Sequence, residues 1–106
     1  MGGKAFVKGV EKKVAEFAAS EAGDHAKSAK KDAKAFLAES RAKIEEWTAL
    51  LVAGEMTKDD FAWLVASRKD NAKMEALTQA GLAKATIQRI VNGVLDIVVA
   101  EAFKLV

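Results

Sequence analysis

Gly54-Glu55-Met56-Thr57-Lys58-Asp59-Asp60-Phe61 lies almost at the midpoint of a 106-residue chain and is its one strong stop-and-restart signal. Gly54 suits the left-handed backbone just past a helix C-terminus. Thr57 carries a hydroxyl that can cap the next helix, and Asp60, three residues on, can reach back to complete a capping box. Asp59 and Asp60 place negative charge in the first turn, where the helix dipole favours it. Met56 before the cap and Phe61 at the fourth helical position are spaced for a hydrophobic staple. The stretch predicts a tight helix–helix turn at 54–57 between two arms of nearly equal length.

Working outward, the first arm has helical spacing nearly throughout. Val7, Val10, Val14 and Phe17 step by three and four, and Ala29, Ala33, Phe36, Ser40, Ile44, Trp47 and Leu51 continue the pattern. This is a narrow seam, closer to a coiled-coil stripe than to a broad globular face. Two steps of four in a row, Phe36–Ser40–Ile44, shift it toward the straight-helix period and against a long regular supercoil. Gly23-Asp24 between the two runs either ends one helix and caps another, or lies inside a continuous helix at a cost of about 1 kcal/mol relative to alanine.

The second arm begins with a short apolar face of Phe61, Leu64 and Val65. Ser67-Arg68-Lys69-Asp70-Asn71 is either a solvated face or a second break, since Asp70 or Asn71 can cap a helix. Met74, Leu77 and Ala80-Gly81-Leu82 resume the seam. Residues 82–106 are the most apolar part. Ile87, Val91, Val94, Val98 and Leu105 share one helical face, Ile90, Ile97 and Val99 widen it, and Arg89, Asn92 and Asp96 form a narrow polar strip. A face so wide is normally buried on several sides. Asn92-Gly93 between β-branched runs is the one local hairpin signal, opposed by the helical spacing of the polar residues around it.

Composition narrows the function classes. Hydrophobic residues make up 51 % and charged residues 30 %, which argues against disorder, and there is no proline to force a kink. No cysteine is present, so disulfides, zinc–thiolate sites and thiol nucleophiles are excluded. His25, the only histidine, has Asp24 and Glu21 beside it, but Ala22 stands where a Glu-x-x-His pair needs its acid, and we read His25 as a surface residue near a helix end. Ser20, Ser28, Ser40 and Ser67 sit in no nucleophile motif, and the glycines form no phosphate loop. Glu45-Glu46 and Asp59-Asp60 are adjacent, about 100° apart on a helix, and do not converge as an acid/base pair. These observations point away from an enzyme, and they name no catalytic, cofactor-binding or metal-binding residue. Trp47 and Trp63, about two turns either side of the turn, are expected to pack together in the core.

The net charge of +2 is too small to argue for nucleic acid by itself. Ten bases face eight acids in residues 1–53, and seven face seven in the rest. Lys27, Lys30, Lys31 and Lys34 form the densest basic run and are the candidate anion-binding residues. The run lacks arginine and interleaved aromatics, so we read it first as solubilising and nucleic acid as an unfavoured partner. Arg89, Asp96 and Glu101 interrupt the apolar length of 86–106 and argue against a membrane span. Met1-Gly2-Gly3-Lys4-Ala5-Phe6 has neither the apolar core of a signal peptide nor the Ser or Thr that myristoylation of Gly2 wants, and we expect a cytoplasmic protein. Leu50 to Phe61 resembles the helix–turn–helix centre of short hairpin modules found at bacterial protein C-termini. The likeness covers about a dozen residues of turn chemistry and implies no site.

The expected fold is all-α: a long antiparallel hairpin, turning at 54–57, that self-associates into a helical bundle. Folding the chain at 55–56 sets Phe17 against Val94, Leu37 against Met74 and Trp47 against Leu64. A straight arm of about 50 residues would run about 75 Å. Two helices cannot cover the wide face of 86–106, so Ile87, Ile90, Val91, Val94, Ile97 and Val98 are the candidate interface of a homo-oligomer, most simply a dimer. The alternative architecture bends each arm, near Gly23 and near Ser67–Asn71, into a compact four-helix bundle within one chain. The functional expectation is a non-catalytic oligomerisation or scaffold protein. The alternative is a binder of anionic surfaces, membrane or nucleic acid, through residues 27–34.

Overall fold

A computed structural model describes residues 3–106, and the reading of Met1 and Gly2 lies outside the described residues. The fold is all-α: α1 Gly3–Ala22, α2 Ala26–Val52, α3 Lys58–Ser67, the short α4 Glu75–Gln79, and α5 Lys84–Phe103. No strand occurs among the described residues.

The central turn forms where the sequence signals it. Gly54 takes φ +78. The Glu55 N–H donates to the Leu50 carbonyl at 2.9 Å and the Gly54 N–H to that of Leu51 at 3.1 Å, the paired bonds of a Schellman ending. Thr57 is extended, and its hydroxyl accepts from the Asp60 N–H at 3.1 Å. The Asp60 carboxylate stays exposed, so only the threonine half of the box supplies a cap bond. Phe61 is fully buried and Met56 packs partly buried against the same core.

Both arms bend, which corrects the straight hairpin in favour of the compact alternative. Gly23 adopts φ +57 in a 3-10 turn, Gly23–His25, that sends α2 back along α1. Ala18, Ala22, Ala29 and Ala33 are buried on either side of this bend. Their small side chains let the two backbones approach closely, so the fold-back makes a tight contact where a straight arm would leave an alanine face in water. The second arm bends in a 3-10 turn, Arg68–Asn71, followed by extended Ala72 and by Met74 at φ 46. The molecule therefore measures 42 × 21 × 19 Å, with the 27 residues of α2 spanning its long axis, rather than about 75 Å.

Some of the fold-back register survives the bends. α1 runs antiparallel to α5, and Phe17 lies over Gly93, one residue from its expected partner. A Cβ at Gly93 would stand 2.1 Å from the Phe17 Cζ. Gly93 is thus a mid-helix gap that admits a ring from α1, not the tip of a hairpin. Other expectations fail. Ala80-Gly81-Leu82 does not continue a seam: Gly81, at φ +87, ends α4 with a second Schellman pair, Gly81 N–H to Thr78 and Leu82 N–H to Leu77. Trp63 is 71 % exposed, while Trp47 is partly buried against the core. Phe61 and Val65 point inward from α3, and Trp63, two residues from each, lies about 200° round the helix from both.

Candidate functional site

The interface residues expected on the C-terminal arm divide into two groups. Ile90, Val94 and Val98 are buried to within about a percent, and Val91 is 7 % exposed. They sit in the core that the chain builds for itself, because α5 packs against both α1 and α3. The premise that one antiparallel neighbour covers this arm is thereby corrected. Ile87 and Ile97 remain partly buried at the edge.

Ile87 belongs to a groove of about 690 Å³ between the segment after α3, the α4–α5 connection and the first half of α5. Its apolar floor is Ala72, Leu82, Ile87 and Val91, and Lys69, Asp70, Lys84 and Gln88 stand along its rim. The floor is continuous with the core, against which Ala72, Leu82 and Ile87 pack.

Lys27, Lys30, Lys31 and Lys34 are all exposed on α2. Among the described residues none of them is paired with a carboxylate. The ion pairs lie elsewhere: Lys13 and Lys104 on Glu101, at 2.5 and 2.6 Å, Arg41 on Glu45 at 2.7 Å, and Lys43 on Glu46 at 3.7 Å. The ammonium groups of Lys104 and, next, Lys13 hold the Glu101 carboxyl below its ordinary value. Lys30 and Lys34 share a shallow groove of about 420 Å³ with Lys8 and Lys12 of α1, and with Glu11 and Glu16.

Asp32 interrupts the lysine run in sequence but not on the surface. It is buried, and its carboxylate accepts from the backbone N–H of Ala76 at 3.1 Å and of Leu77 at 2.8 Å. It caps α4 from another helix, where Met74, the residue at the cap position, supplies no side-chain bond. This residue was missed in the sequence; the available signal was an acid at helical spacing with the apolar seam (Ala29, Ala33, Phe36). Two further polar groups lie in the core. Ser40 accepts from Arg68 Nε at 3.2 Å, and the Thr48 hydroxyl has no partner among the described residues.

His25 sits half-exposed at the N-terminal end of α2, with no side-chain cap bond. Among the described residues no three His, Asp or Glu side chains converge as a metal would need. No helix of the described residues is long and apolar enough to cross a membrane. No protein-family model, curated protein or solved structure matches the chain.

Proposed function

We propose that the chain is a non-catalytic helical scaffold that associates with other helices, most simply with a second copy of itself. The observation that supports this reading is the apolar groove on the N-terminal half of α5. Ile87 and Val91 stand four residues apart on its floor, the spacing that receives an amphipathic helix, with charged groups along the rim to fix register. Of the six interface residues expected on this arm, these two are the ones that line it. Trp63, exposed on α3, offers an aromatic contact of the kind that dominates protein interfaces. A cytoplasmic setting is part of the proposal and goes with a charge-rich chain that carries no cysteine.

Light scattering at tens of micromolar tests it. The expected mass is twice 11.3 kDa, returning to 11.3 kDa in Ile87→Asp with helicity retained. A monomer mass for the unmodified chain refutes self-association through this groove.

A further inference from the structure

We propose that the α1–α2 face carrying Lys8, Lys12, Lys27, Lys30, Lys31 and Lys34 is a contact surface for the phosphate backbone of duplex nucleic acid. The inference does not involve the α4–α5 groove and stands apart from the scaffold reading.

Charge segregation carries the argument. Bases and acids are nearly balanced over the chain as a whole, but folding clears the one acid from the lysine run. Asp32, the one acid within 27–34, is turned inward and spent on the Ala76 and Leu77 amides. The outer face of α2 from 27 to 38 is then cationic without an exposed acid. The fold-back at Gly23 brings Lys8 and Lys12 across the groove from Lys30 and Lys34. Four lysines thus line one two-helix groove with Glu11 and Glu16, Lys27 and Lys31 stand exposed on α2 beside it, and none of the six is in an ion pair among the described residues. The sequence run alone suggested four lysines in a single stripe.

The kind of polyanion follows from what lies between the lysines. Ala35 and Ala38 are exposed there, and no large apolar side chain is available to enter a bilayer. Without such an anchor, a lipid surface offers only about 1 kcal/mol per lysine at a modest surface potential. A duplex concentrates one charge per about 1.7 Å of axis. Lysines on two packed helices present charge along two lines, as the two strands of a duplex present phosphates along the two walls of a groove. The face has no aromatic platform for unpaired bases, which favours a duplex over a single strand and contact without sequence preference.

Fluorescence anisotropy with a labelled random-sequence duplex DNA tests the proposal. Neutralising about four phosphates predicts a fall in affinity of about 150-fold between about 50 mM and about 200 mM salt. Lys27→Glu/Lys30→Glu/Lys34→Glu, all exposed positions, should keep the helicity and lose most of the binding. Lys43→Glu/Lys73→Glu/Arg89→Glu, exposed positions outside both grooves, has the same net charge and should bind nearly as the unmodified chain does. Equal loss in both triple variants, no binding at the lower salt, or salt-independent binding would each overturn the proposal. So would sedimentation with phosphatidylserine vesicles without duplex binding, which would assign the face to membranes.

Discussion

The turn at 53–57 and the segment from 68 to 83 both redirect the chain, but they are held by different means. The turn is built from its own residues: Gly54 at positive φ, two backbone bonds to Leu50 and Leu51, and the Thr57 hydroxyl on the next helix. The segment contains five-residue α4, too short to be stable alone, and its first turn is capped by Asp32, more than 40 residues earlier. One carboxylate therefore matters more in the segment than in the turn. A local cap stabilises one helix end, whereas the remote cap stabilises a helix end and ties two elements together.

The largest effect is expected at Asp32. Asp32→Ala leaves two amide donors at α4 without their acceptor. Hydrogen bonds to a charged group contribute about 1.5–3 kcal/mol each, so we expect a loss of about 3 kcal/mol in urea denaturation. A loss below about 1 kcal/mol, the size of an ordinary cap, would remove the distinction.

A second remote constraint is Gly93. In an exposed helix Gly→Ala gains about 1 kcal/mol. Here the new Cβ meets the Phe17 ring, and overpacking of this kind costs about 1–3 kcal/mol, so Gly93→Ala should destabilise. In a Phe17→Ala background the same substitution should stabilise. The sign reversal in a double-mutant cycle is the readout.

The local turn should respond less. Thr57→Ala removes the acceptor of the Asp60 N–H and should cost about 1 kcal/mol, with chemical-shift changes confined to the start of α3. Changes spreading into α4 would mean that the turn is not self-contained.

The smallest effect belongs to the exposed bridge of Lys13, Glu101 and Lys104, which ties α1 to α5. Because the folded state lowers the Glu101 pKa, its contribution is present above the ordinary carboxylate range and is lost as pH falls through the lowered value. Glu101→Gln should lower stability slightly at neutral pH and flatten the acid limb of a stability–pH curve. An unchanged acid limb would show that the bridge is screened.

The same contrast explains what could be read from the sequence. Cap chemistry is short-range, so Gly54 and Thr57 announce their turn within eight residues. Helical periodicity likewise placed Phe61, Leu64 and Val65 on one face and left Trp63 off it; the expectation that Trp63 is buried came from pairing the two arms as straight rods. The bend at Gly23 remained open because glycine suits both a break and a tolerated helix position. What decides it is the burial of Ala18, Ala22, Ala29 and Ala33 where α1 packs along α2, a tertiary contact. The α4 cap is hard to read because no residue of 72–76 signals it, and the one clue, the helical spacing of Asp32 with Ala29, Ala33 and Phe36, does not say what the carboxylate caps. The lysine run itself was plain in the sequence, but its partners on α1 appear only after the fold-back.

Amide hydrogen exchange on Asp32→Asn separates the remote cap from the local one, because it reads local opening residue by residue. The Ala76 and Leu77 amides should lose protection while those of Asp60 and Phe61, held by the local cap, keep theirs. Unchanged protection at Ala76 and Leu77, or equal loss at both helix starts, would contradict that separation.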